Sequence, residues 1–188
     1  MKELWVVRHG ETAWTRRGRL TGWTDIPLAR RGRAQAQALR PRLEHEIFQG
    51  VFSSDLRRAV ETARLAYGEP AIDRRLREIH FGELEGAEWD TLAPPYRKAL
   101  VAFDPFVAPG GESVEMFRRR VVDFVEALPP GRHLLFTHGG VIRCLLREMG
   151  EDRFLPPASV VGLDWIRKGL LFVPSTTYPR TKGRGTGA

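Results

Sequence analysis

A four-residue apolar run that ends abruptly in charge sets the strongest constraint on this chain. Leu4-Trp5-Val6-Val7 is followed at once by Arg8-His9-Gly10. The run is too brief for a helix and lacks the alternation of a half-exposed strand. It therefore reads as a strand buried on both faces of a parallel sheet. Open α/β sheets bind ligands just outside the carboxyl ends of such strands. At that end the chain places a fixed positive charge, an imidazole and a glycine. A phosphate ester needs all three: a clamp, an attacking nitrogen and room for close approach.

Strand-then-turn units recur along the chain. A loop of turn formers covers 21–28. A helix begins near Arg30, with Ala36, Leu39, Leu43 and Ile47 at helical spacing on its buried face. Pro41 predicts a kink or break near Arg40, because proline removes a backbone donor and clashes with the preceding turn. Residues 50–54 read as a second buried strand and its exit. A helix over 55–67 follows, with Asp55 placed as its cap, Val60, Ala63 and Ala66 towards the sheet, and Gly68 as its stop. A short strand lies at 71–72.

From 84 to 111 the alternation lapses into an excursion with short helices around Trp89 and over 96–103. A long helix then presents Val114, Phe117, Val121, Phe124, Val125 and Leu128 on one face. Residues 133–136 form another buried strand, ending in Thr137-His138-Gly139-Gly140, with a helix over 141–149. Segments 160–166 and 170–173 form a hairpin around Lys168-Gly169. This order predicts a three-layer α/β/α sandwich whose central sheet is mostly parallel, with one antiparallel strand. Residues 1–173 read as one domain and 174–188 as a basic, polar tail.

Composition narrows the class of protein. The chain has 188 residues, 42% of them hydrophobic and 28% charged, which suits one globular domain. No apolar run approaches the ~20 residues of a membrane span. The single cysteine, Cys144, excludes an internal disulfide framework. These features point to the cytoplasm. The net charge is +7, with 26 arginines against 4 lysines. Arginine holds phosphate through a planar fork, so this excess suits an anionic small-molecule ligand. No nucleic-acid motif accompanies it, so nucleic acid is not the expected partner. His9, His45, His80, His133 and His138 lack metal-ligand spacing, and no phosphate-binding P-loop or dinucleotide fingerprint occurs. Neither a metal nor a cofactor is expected.

Four blocks resemble the histidine phosphatase superfamily of phosphoglycerate mutases and related phosphatases. They are Arg8-His9-Gly10-Glu11-Thr12-x-Trp14, Ser53-Ser54-Asp55-Leu56-Arg57-Arg58-Ala59-Val60-Glu61-Thr62-Ala63, Leu76-Arg77-Glu78-Ile79-His80-Phe81-Gly82-Glu83-Leu84-Glu85-Gly86 and Thr137-His138-Gly139-Gly140. The resemblance implies that His9 is a nucleophile carrying a phosphohistidine. It implies that Arg8, Arg58 and His138 surround the phosphoryl oxygens, with Gly139 beside them, and that Glu78 is the general acid. Arg58 is taken over Arg57 because the family's arginine directly precedes the alanine. Glu11, Glu83 and Glu85 are rival acids.

Thr12, Thr21 and Gly22 are placed to contact phosphate or substrate. His80 either lines the pocket beside Phe81 and Trp89 or caps a loop. Thr15 stands where many members carry asparagine, and Ala29 where relatives often have a threonine cap. Both leave local hydrogen bonding open.

The match to α-ribazole-5'-phosphate phosphatases and short mutase-like phosphatases of bacteria includes Pro109-Gly110-Gly111-Glu112-Ser113. It implies a metal-independent phosphomonoesterase acting on α-ribazole 5'-phosphate or other small phosphate esters. The 84–111 excursion would roof the site and choose the substrate. Trp89, Tyr96, Phe103 and Phe106 would either face an aromatic leaving group or form the roof's own small core. A cofactor-dependent phosphoglycerate mutase is the alternative. An idle phosphate-binding scaffold is the third reading. Trp23 and Trp165 are the candidate faces for a homodimer.

Overall fold

The computed structural model describes residues 1–174, so the tail expected over 174–188 lies almost wholly outside the described residues. Six strands form one sheet: β1 (Lys2–Arg8), β2 (Gly50–Ser53), β3 (Ala71–Ile72), β4 (Gly131–Thr137), β5 (Val160–Asp164) and β6 (Gly169–Phe172). Their spatial order is β3-β2-β4-β1-β5-β6. The first four in that order are parallel neighbours, and β5 runs against both β1 and β6. This is the mostly parallel sheet with one reversed strand that the alternation predicts.

Side chains alternate across the sheet and build a core on each face. Leu4 and Val6 join Leu135, Val161 and Leu163 on one side. There they meet helix α6 (Val114–Ala127) and helix α7 (Gly139–Arg147). Trp5 and Val7 join Leu134 and Phe136 on the other side. They pack on Leu43 of α3 (Arg40–Leu43) and on Ala63 and Ala66 of α4 (Arg57–Ala66). The helical layers also include α1 (Ala13–Arg16) and α2 (Arg30–Ala38), and α5 (Pro94–Ala102) lies in the excursion.

Several local expectations change. The predicted break falls at Leu39, where α2 stops and α3 starts with a proline in its first turn. The chain turns away afterwards, so Ile47 is 85% exposed rather than buried. Asp55 does not cap α4. Its carboxylate is drawn to the Arg77 guanidinium at 2.7 and 2.6 Å, and Asp25 accepts the Arg57 N–H at 2.8 Å instead. Ala59, Thr62, Ala63 and Ala66 form the buried face of α4, while Val60 is half-buried. Helix α7 starts at Gly139, two residues ahead of expectation. Trp165 is buried at 2% exposure and donates to Glu126 Oε1 at 2.7 Å, so it offers no face for a partner. The excursion's Leu92, Leu100, Phe103 and Phe106 join the core shared with α6 and the sheet rather than forming one of their own.

Candidate active site

The last rung of the β1–β4 ladder pairs Arg8 with Thr137. The next residue on each strand is a histidine, so His9 and His138 emerge side by side, with ring centroids 5.2 Å apart. Strand β2 ends one position over and feeds α4, which brings Arg58 to the same end. Glu78 arrives on the segment after β3. Four residues far apart in sequence thus meet because parallel strands end together.

Each imidazole has its proton assigned by a neighbour. The Nδ1 of His9 lies 2.7 Å from the Gly10 carbonyl, an acceptor, so Nδ1 carries the proton and Nε2 keeps its lone pair. Burial, then the charges of Arg58 and Arg8, hold the His9 pKa well below the usual 6.5. At His138, Arg58 Nε–H donates to Nδ1 at 3.3 Å. The His138 proton therefore sits on Nε2, which is buried and has no partner among the described residues. Burial and the Arg58 charge again lower the pKa well below 6.5. His138 is thus a neutral imidazole with an N–H to donate.

Arg58 is fully buried, in contrast to exposed Arg57. It donates to the Gly22 carbonyl at 2.6 Å and the Thr24 carbonyl at 3.0 Å. Burial lowers its pKa to about 10, which leaves it charged at neutral pH. Arg8 donates to the Leu155 carbonyl. Thr62 ties the parts together, accepting the Gly10 N–H at 3.1 Å and donating to the Arg58 carbonyl at 2.7 Å. Gly10 is there for close packing, since a Cβ on it would lie 2.3 Å from the Gly32 carbonyl oxygen.

Glu78 is 8% exposed, and its carboxylate accepts N–H bonds from Gly140 at 2.9 Å and Ile79 at 3.0 Å. Burial raises its pKa above the usual 4.5, and the two N–H groups and the nearby arginines oppose that rise without cancelling it. The rival acids are placed elsewhere. Glu85 clamps a loop, accepting the Trp23 and Thr24 N–H groups at 2.7 Å each. Glu83 is exposed, and Glu11 lies 3.8 Å from Arg31.

Arg8, His9, Glu78, Gly139 and Gly140 line a cleft of about 170 Å³, with Thr15 and Thr21 also on its walls. Arg58 and His138 are fully buried beside His9. Thr12, Gly22 and His80 are not among the lining residues. Thr12 instead caps α1 in a reciprocal pair with Thr15, which gives the threonine at 15 a structural use for its hydroxyl. Gly22 supplies only its carbonyl to Arg58. His80 stacks on Trp23 at 4.6 Å. Ala29 starts α2 with no side-chain cap, as expected.

The sequence reading missed Arg120 and Glu112, which brace the segment that carries Glu78. Arg120 donates to the carbonyls of Arg75, Arg77 and Glu78 at 2.7–2.8 Å and pairs with Glu112, whose carboxylate accepts the His80 N–H at 2.9 Å. It also missed Arg143, Arg19 and Phe154 in the cleft wall. A charged residue inside the apolar run of α7 was the available signal for Arg143. A larger cavity of about 460 Å³ lies beyond Phe103, but its Arg118 is already paired with Glu148. Among the described residues no His, Cys, Asp or Glu group could hold a metal ion, and no helix is long and apolar enough to cross a membrane.

A neutral histidine nitrogen beside two arginines, facing a buried carboxyl group, is the equipment of phosphoryl transfer through histidine. A sequence model of the histidine phosphatase superfamily (branch 1) matches residues 4–170, and the chain belongs to that superfamily. A phosphoglycerate mutase from Thermus thermophilus is 51% identical, covers 93% of this chain and 99% of its own, and superposes with a TM-score of 0.87. A 2,3-bisphosphoglycerate-dependent phosphoglycerate mutase 2 of Gloeobacter violaceus is 35% identical over 79% of this chain and 76% of its own length. An Escherichia coli K-12 structure provisionally named α-ribazole-5'-P phosphatase is 27% identical over 94% of each chain, with a TM-score of 0.75.

Proposed function

We propose that the protein is a phosphomonoesterase that works through a phosphohistidine on His9, with α-ribazole 5'-phosphate or other small phosphate esters as substrates. The observation that carries this reading is the opposed pair: a His9 kept neutral with Nε2 free, and a Glu78 whose pKa is raised. The Nε2 lone pair attacks phosphorus while Arg8, Arg58 and the His138 Nε2–H take the charge on the equatorial oxygens. The ester bond breaks and the leaving alkoxide takes the Glu78 proton. Glu78, now a carboxylate, removes a proton from water as its oxygen attacks phosphorus. Inorganic phosphate leaves, and His9 and Glu78 return to their starting states.

The names borne by the relatives favour a second reading, phosphoglycerate mutase. In that case the phosphohistidine would pass its phosphoryl group to a phosphoglycerate rather than to water. The experiment measures phosphate release with EDTA present from α-ribazole 5'-phosphate, 3-phosphoglycerate and an aryl phosphate, with His9→Ala as the blank. Release that disappears in the variant supports hydrolysis. No release, with transfer between phosphoglycerates once bisphosphoglycerate is added, supports the mutase instead.

A further inference from the structure

The lining of the cleft is of two kinds. Besides Arg8, His9 and Glu78 its walls carry the apolar Leu20, Ile79, Phe81, Trp89, Phe103 and Phe154. The other polar side chains of the lining are engaged with the protein. Thr15 Oγ1 donates to the Thr12 carbonyl and Thr21 Oγ1 to the Arg19 carbonyl, both at 3.1 Å. Arg19 faces Glu88 at 3.1 Å. Arg143 gives Nε–H and Nη2–H to the Asp152 carboxylate at 2.5 and 2.8 Å, and Nη1–H and Nη2–H to the Leu100 and Val101 carbonyls at 2.9 and 2.6 Å. A carboxylate or second phosphate entering here competes with acceptors already in place. An apolar group breaks none of these bonds.

Arg143 also builds the wall. Its guanidinium carbon lies 4.6 Å from the Phe103 ring centroid and 4.4 Å from that of Phe154, so it sits against two rings that both line the cleft. Phe103 ends α5 at φ 55°, a left-handed conformation that bulky residues rarely adopt. Arg143 and Arg147 hold it there by taking the last carbonyls of α5, those of Leu100, Val101 and Ala102. The wall is preformed, so a ligand does not bear the cost of ordering it.

We propose that these apolar walls form a leaving-group subsite for uncharged alcohols that carry an aromatic or branched apolar group, and that Arg143 positions them. The subsite deepens the phosphatase reading and depends on it only for the fate of the ester.

The test is calorimetric binding of three phosphonates: 3-phenylpropylphosphonate, propylphosphonate and 3-phosphonopropanoate. The phenyl compound should bind about tenfold or more tighter than the propyl compound, in line with what apolar pockets discriminate. The carboxylate should bind more weakly than the propyl compound. Trp89→Ala and Phe154→Ala should each bring the phenyl-to-propyl ratio toward one. Equal affinities, tightest binding of the carboxylate, or no binding of any of the three overturns the subsite. Hydrolysis of 2-phenylethyl phosphate and ethyl phosphate is measured alongside. The preference without hydrolysis removes the phosphatase reading and leaves the subsite. Hydrolysis of both at equal kcat/KM, without the binding preference, removes the subsite and leaves the reading.

Discussion

Arg58 donates its Nε–H to His138 Nδ1 at 3.3 Å, and this contact leaves the second histidine's proton on Nε2. In the proposed mechanism Arg58 therefore acts twice, as a charge and as the residue that orients a neutral donor. Lysine retains the charge but not the fork that also reaches the Gly22 and Thr24 carbonyls. Arg58→Lys should lower kcat by on the order of 10³. Steady-state kinetics checks this, and nitrogen NMR of the His138 ring should show a mixture of tautomers in the variant.

The pH profile follows from two shifts of opposite sign. The His9 pKa is lowered, so the proposed nucleophile stays neutral well below pH 6.5 and is lost only when acid protonates it. The Glu78 pKa is raised above 4.5, so its proton survives to higher pH than that of an ordinary carboxyl group. The profile of kcat/KM should be a bell with an acid limb from His9 and a basic limb from Glu78. Glu78→Gln should abolish the basic limb. The same burial governs stability: His9 and His138 fold with lowered pKa values, so they withdraw stability as pH falls below 6.5, where the unfolded chain takes up protons first. Urea unfolding across pH 4–7 reads this slope.

Gly140 matters for the space it leaves. A Cβ there would lie 2.1 Å from Glu78 Oε1. Gly140→Ala should displace the acid and cost about 10²–10⁴ in rate on alkyl phosphates, the range of general acid catalysis. A nitrophenyl ester, whose leaving group needs no proton, should lose much less. Comparing the two esters separates loss of the acid from general damage.

Gly32 lies outside the cleft lining but packs against the loop that follows His9, and a Cβ on it would meet the Glu11 carbonyl oxygen at 2.0 Å. The loop that carries His9 would have to shift. Gly32→Ala should reduce kcat by about 10²-fold, which is what a displacement on the order of 1 Å costs a positioned group. Circular dichroism should show the fold retained.

Arg143 is fully buried and serves two backbone carbonyls. Arg143→Met should strand those carbonyls at about 1–3 kcal/mol each. Denaturant titration gives the loss, and hydrogen exchange should localise faster opening to α5.

The strand order along the chain, the reversed hairpin and the meeting of Arg8, His9, Arg58, Glu78 and His138 are legible in the amino-acid sequence. Apolar run, turn and charge recur at strand ends, and a period of two or 3.6 is a local property that a sequence displays. The break before Pro41 is legible too, because proline acts on its own backbone. Which partner each polar group takes is settled only by packing. Asp55 looks like a cap until Arg77 is beside it, and Thr12 looks like a phosphate ligand until Thr15 turns back to it. Arg120 looks like surface charge, but it holds carbonyls 40 or more residues away. A hydrogen bond needs a direction and a distance within a few tenths of an ångström, and those exist only once the sheet has brought distant segments together.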